Sequence, residues 1–152
     1  MSTTHIPAAL RRQVARRADF LCEYCLLHED DTYFGCEVDH VISEKHGGLT
    51  QTGTLAYACF ACNRSKGSNI ASLVPGTARL VPLFHPRRDQ WHEHFGLSEM
   101  DGVTIVPVSG IGEATARLLR LNDPDRLVER QALRAAIRYP VPAALRRLAG
   151  MM

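Results

Sequence analysis

Apolar and polar positions change their spacing several times along the 152-residue chain, and each change marks an element. After Ile6-Pro7-Ala8-Ala9, the residues Leu10, Val14 and Ala18 recur near 3.6 residues, which predicts an opening helix with Pro7 in its tolerant first turn. Leu26 to Gly35 is a polar connection containing His28-Glu29-Asp30-Asp31. Its end, Thr32-Tyr33-Phe34, leads into a strand-like run from Cys36 to Ile42. Lys45-His46-Gly47-Gly48 reads as a mobile turn, Thr54 to Ala58 as a second strand, and a helix is expected from near Phe60 through Lys66. Two strands, a long loop and a short helix make a ββα unit. Further on, Thr77 to Phe84 and Val103 to Val108 predict strands of a small covering layer, and Gly110 opens a helix through Leu121. Asp123-Pro124 starts another helix to Arg138, by the Asp N-cap and Pro N1 preferences, and Val141 to Met152 is a short final helix or partly disordered. The class predicted is α+β.

Composition changes this picture in three ways. With 45% hydrophobic and 22% charged residues, 152 positions suffice for one cored domain and are too few for two. No apolar run approaches the roughly 20 residues of a membrane span, and the first nineteen residues carry four arginines where a secretory leader needs an apolar centre. A soluble, cytoplasmic protein is therefore expected. The net charge of +2 identifies no partner, but sixteen of the eighteen basic residues are arginine, which binds phosphate bidentately; a GC-rich codon bias explains the same count. Arg12 and Arg16 share a helix face, and Arg126, Arg130, Arg134 and Arg138 recur every fourth residue. The first set fits a solvated face or a DNA-backbone contact, and the second a solvated stripe, a helix partner or a track for a phosphate backbone.

Candidate chemistry gathers in one region. Five cysteines in a reducing compartment, four of them as Cys22-x-x-Cys25 and Cys59-x-x-Cys62, point to a four-cysteine structural zinc rather than disulfides, with Cys36 left over. Asp39 and His40 close the first apolar run and Asn63 follows the second cysteine pair, so a carboxylate, an imidazole and an amide can converge. In a regular strand Asp39 and His40 face opposite ways, so a shared role requires the strand to end or bend there. Buried thiols and a core histidine are the competing structural roles. For His46, His85, His92, His94, Trp91 and Phe95, packing or surface positions are expected.

These residues resemble the HNH endonuclease family: Cys22-x-x-Cys25, Glu37-Val38-Asp39-His40-Val41-Ile42, Gly47-Gly48 and Cys59-x-x-Cys62-Asn63-Arg64-Ser65-Lys66-Gly67 follow its pattern in order. The resemblance covers roughly residues 20–68. It implies a ββα-metal core stapled by the cysteine zinc site, a covering segment over about 69–108 and a helical tail over about 109–152. It also implies metal-dependent hydrolysis of DNA, or of RNA, with His40 as general base and Asp39 and Asn63 holding Mg²⁺ or another divalent ion through oxygen. Glu37 and Thr54 are supporting positions, and Arg64 and Lys66 are candidates for phosphate contact, against solvated surface. Thr54 stands where the family usually carries a loop-bracing asparagine, which implies a weaker brace around His40. Two rival functions are a zinc-containing nucleic-acid-binding module without catalysis and a thiol redox protein. Asp39, His40 and Asn63 favour the nuclease over the first, and the paired CxxC motifs disfavour the second.

Overall fold

The computed structural model describes residues 4–151, so Met1–Thr3 and Met152, the last residue of the expected final segment, lie outside the described residues. Helix α1 (Ala8–Arg17) follows Pro7, which occupies its N-cap, and it ends where Asp19 and Phe20 take left-handed backbone angles. Its apolar stripe packs Val14, Ala15 and Ala18 with Ile6 against Leu55 and Tyr57, while Arg12 and Arg16 stay exposed. Residues 21–27 are all buried, folded into a tight knuckle in which the Cys22 amide donates to Leu27 and the Leu26 amide to Cys22.

Strand β1 (Cys36–His40) is shorter at both ends than expected. Thr32-Tyr33-Phe34 is not strand, because the chain first makes a single 3-10 turn at Glu29–Asp31, capped by the His28 ring, and emerges with Tyr33 and Phe34 exposed. At the other end Ser43 turns the chain into a second 3-10 segment, Glu44–His46. Strand β2 (Leu55–Cys59) pairs antiparallel with β1, from Cys36 opposite Cys59 to His40 opposite Leu55. Every residue of β2 is buried, and helix α2 (Phe60–Lys66) starts directly from it, with Cys59 as N-cap. The expected ββα unit is therefore present.

The covering layer consists of two small hairpins, β3 (Ala71–Leu73) with β4 (Leu80–Pro82) and β5 (Phe95–Leu97) with β6 (Ile105–Pro107). Between them α3 (Trp91–His94) is a single turn, and Phe95 already begins β5. Helix α4 (Gly110–Leu118) starts at Ser109, whose hydroxyl accepts from the Gly112 amide. It stops short of Leu121 because Arg120 is left-handed. Helix α5 (Pro124–Ala135) has Pro124 in its first turn, but the Asp123 carboxylate pairs with Arg120 at 2.7 Å and does not cap it. It stops before Arg138, since Ile137 is left-handed; α6 (Pro142–Leu148) closes the chain.

The α5 arginine row is divided between inside and outside. Arg130 is 0% exposed, donating to the Val103 carbonyl at 2.8 Å and to Asn122 at 3.0 Å. Arg134 donates to the Asp101 carbonyl, and Arg138 grips Asp31 through both nitrogens. Arg126 and Arg130 are buried against neighbouring elements, as a helix-partner role requires, while Arg134 and Arg138 are exposed and tie α5 to Asp101 and Asp31 at the surface. The architecture is α+β with the four knuckle cysteines inside its largest core cluster, beside Trp91, Phe95 and Tyr139. Among the described residues no helix is long and apolar enough to cross a membrane.

Candidate metal centre and active site

The two knuckles meet. The sulfurs of Cys22, Cys25, Cys59 and Cys62 lie within 4.8 Å of one another, all buried, and Cys25 Sγ is 3.7 Å from Cys59 Sγ. Zinc–sulfur bonds of about 2.3 Å in a tetrahedron put the sulfurs about 3.8 Å apart, so the spacing suits a tetrahedral thiolate ion and is far too long for a disulfide. Burial pushes the Cys22 and Cys62 thiols up; a divalent cation among them offsets that cost by holding the sulfurs as thiolates. The donor set is compatible with structural zinc. Cys36 lies outside the cluster, half-buried opposite Cys59 across the ladder.

Backbone carbonyls around the knuckle are tied down from downstream. The Trp91 indole donates to Tyr24 O at 2.9 Å, and the Tyr139 hydroxyl to Cys25 O at 2.9 Å. Trp91 is thus core, as expected. Arg126 brings its guanidinium to the sulfurs, 3.1 Å from Cys62 and 3.9 Å from Cys59. Sequence reasoning missed this residue, because a fourfold arginine spacing carries no sign of which face is inside.

The second cluster sits where the end of β1 meets the last turn of α2. His40 is the last residue of β1 and 2% exposed; its Nε2 lies 2.8 Å from Thr50 Oγ1, and Thr50 in turn donates to Glu44 at 3.4 Å. Asp39 is half-buried beside Lys66, with Nζ 3.9 Å from Oδ2; the same amine donates to the His40 carbonyl at 3.3 Å. Lys66 is 1% exposed, so the surface phosphate contact considered for it, and the solvated alternative, are both replaced by a buried tie between α2 and the end of β1. Burial pushes the Asp39 carboxyl up while Lys66 opposes the rise, and burial pushes Lys66 down while Asp39 opposes the fall. Each partner opposes the other's shift toward the neutral form.

Asn63 lies one helical turn before Lys66, half-buried, and its side chain makes no hydrogen bond among the described residues. Arg64 is exposed, its guanidinium 5.9 Å from the Phe60 ring centroid. Glu37 is exposed on β1, without a side-chain partner among the described residues.

Two features shape the loop between the strands. Gly47 has φ of 88°, and a Cβ on Gly48 would meet the Ile42 carbonyl oxygen at 1.7 Å, so only glycine lets the chain fold back on the end of β1. Farther on, Thr54 donates to the carbonyls of Leu49 and Gln51 and accepts from the Gln51 amide at 3.2 Å. Its own carbonyl takes the Val41 amide at 3.0 Å. Arg17 of α1 clamps the same loop through the carbonyls of Thr52 and Leu55. Beside the strand end a cleft of about 160 Å³ is lined by Val41, Ile42, Lys66, His85 and Arg88.

Residues 22–69 match the family model described as HNH endonuclease. No curated protein and no solved structure matches the chain. The matched stretch contains both cysteine pairs, Asp39, His40 and Asn63, and an HNH domain points to nuclease or nucleic-acid-binding function.

Proposed function

We propose that the chain is a metal-dependent endonuclease that hydrolyses DNA phosphodiester bonds, acting as one domain with its core at about residues 20–68. The observation that carries this reading is the junction between β1 and α2. His40 ends the strand, and Lys66, one turn after Asn63, reaches back to Asp39 and to the His40 carbonyl. A pure binding module has no need of a held imidazole beside a carboxylate and an unengaged amide.

Asp39 and Asn63 offer oxygen atoms, the donor type a hard divalent ion such as Mg²⁺ takes, and such an ion is usually held by only one or two carboxylates with substrate phosphate and water. Bound there, it neutralises charge on the phosphate and on the departing 3′ oxygen. The chain's own residues handle the proton. With Thr50 donating to Glu44, the Thr50 oxygen is left to accept from Nε2–H of His40, which puts the imidazole lone pair on Nδ1. Nδ1 takes the proton of the attacking water as its oxygen bonds phosphorus and the P–O3′ bond breaks. Lys66 favours the ionised form of Asp39 and fixes the backbone that carries the imidazole. Arg64, exposed on α2, is the candidate phosphate contact.

The test is incubation of purified protein with plasmid DNA, with and without Mg²⁺ or Mn²⁺, beside His40→Ala. Metal-dependent nicking by the parent and none by His40→Ala is expected, with unchanged zinc content and fold; cleavage by His40→Ala at the parent rate refutes the assignment.

A further inference from the structure

We infer that Arg126 belongs to the metal centre as a positioning residue, so that loading the four cysteines with a divalent ion and docking helix α5 are one equilibrium. The inference rests on the metal-centre reading of the four cysteines and adds to it a residue 64 positions beyond the last of them.

Arg126 is 9% exposed, and its two terminal nitrogens do different work. Nη1 donates to the Leu119 carbonyl at 2.9 Å and lies 3.4 Å from that of Arg120, at the carbonyl end of α4. Nη2 faces the sulfurs of Cys62 and Cys59. A guanidinium stays charged at any ordinary pH, and a buried charge is costly unless something opposes it. No carboxylate pairs with Arg126 among the described residues. The two carbonyls supply dipoles and Glu129, three residues along α5, a more distant charge, so the sulfurs are the nearest acceptors that can carry negative charge.

Four thiolates around a divalent cation carry a net charge of about −2, which one guanidinium halves. An ion held by the four sulfurs fixes their positions, and with them the acceptor that Arg126 Nη2 meets at 3.1 Å; without it the four side chains are free to rearrange away from the guanidinium. The loaded site therefore holds α5 in place, and α5 strengthens the loaded site by donating to one of its sulfurs. Tyr139, beyond the same helix, adds a second tie through Cys25 O.

The test uses the full chain with zinc, and with Co²⁺ substituted for it. Arg126→Met should release zinc to a chromophoric chelator about 10–100-fold faster, the usual cost of losing a partner outside the ligands. In the cobalt form its sulfur-to-metal absorption band should move to lower energy, because a thiolate relieved of a hydrogen bond and a nearby positive charge gives up electrons more easily. Arg126→Lys, which keeps the charge, should return the band most of the way. In the parent, chelating the metal should open α5 to trypsin at Arg130 and Arg134, and restoring zinc should close it. An unshifted cobalt band with unchanged zinc release in Arg126→Met overturns the inference, as does full protection of α5 in metal-free parent. If Arg126→Met fails to fold, Arg126→Gln, which keeps a donor and loses the charge, takes its place: its cobalt band should also move to lower energy, and an unshifted band with unchanged zinc release overturns the inference. If the parent binds no zinc, the metal-centre reading falls and this inference with it; if zinc is bound and only the Arg126 arms fail, the metal-centre reading stands alone.

Discussion

Replacing Thr54 by alanine tests how the loop between β1 and β2 controls the imidazole. The Thr54 hydroxyl has one proton, shared between the Leu49 and Gln51 carbonyls, and it accepts from the Gln51 amide. Two hydrogen bonds at a time are therefore lost in Thr54→Ala. At about 0.5–1.5 kcal/mol each, and with water able to replace both at this exposed position, the stability loss should be about 1–2 kcal/mol, or roughly 2–8 °C in Tm for a chain of this size. The functional loss should be larger. Thr50, which holds His40 Nε2 at 2.8 Å, lies inside the segment Leu49–Thr54 that the hydroxyl closes. A displacement of about 1 Å at the base costs on the order of 100-fold in rate, so a partly loosened loop should lower metal-dependent plasmid nicking by about 10–100-fold. Thr54→Asn, with two donors and a longer reach, should equal or exceed the parent. The assay is initial nicking rate at saturating Mg²⁺, read beside Tm. Parent-like cleavage by Thr54→Ala would show that position 54 does not brace the site, and that its correspondence with the asparagine of the HNH pattern fails.

Three further outcomes follow from the packing. Zinc should be stoichiometric, and Cys59→Ser should unfold or precipitate the chain, since structural zinc contributes on the order of 10 kcal/mol of apparent binding, whereas Cys36→Ser should leave zinc content unchanged; metal analysis and melting curves decide both. Gly48→Ala should displace the loop, because its Cβ would sit 1.7 Å from the Ile42 oxygen, and an unaltered Tm with full activity would contradict that contact. Arg130→Ala should lower stability by about 3 kcal/mol or more, roughly 6–12 °C in Tm, by leaving a cavity and freeing the Val103 carbonyl, while Arg12→Ala on the exposed face of α1 should stay within about 0.5 kcal/mol.

The ββα unit was legible because its strand pattern, its glycine pair and its two cysteine pairs all point to one arrangement, and spacing alone brought the four sulfurs together. The hairpin partners β3 and β5 were not, since three residues are too few for alternation to register and their strand character comes from the partner across the ladder. Lys66 misled for a different reason. A lysine at the end of a short helix is ordinarily outside, and the approach of Asp39 and the His40 carbonyl makes its burial tolerable. Thr50 and Glu44, which orient the imidazole, carry no sequence signal beyond the four-residue spacing of His40 and Glu44. The arginines of α5 could be seen as a row, but their partners Asp31 and Val103 lie 107 and 27 positions away, beyond the reach of any local pattern.

The wall around the four sulfurs has a consequence for synthesis on the ribosome. Cys62 completes the set of thiols, yet Arg126 emerges 64 residues later and Tyr139 stands 114 residues from the Cys25 carbonyl it seals. At about 5–20 residues per second, 64 residues take on the order of 3–13 s. For that interval the nascent chain presents all four thiols without the cover that later encloses them. A metal ion taken up by the four thiols would enter most easily then, and would leave the finished, enclosed site more slowly.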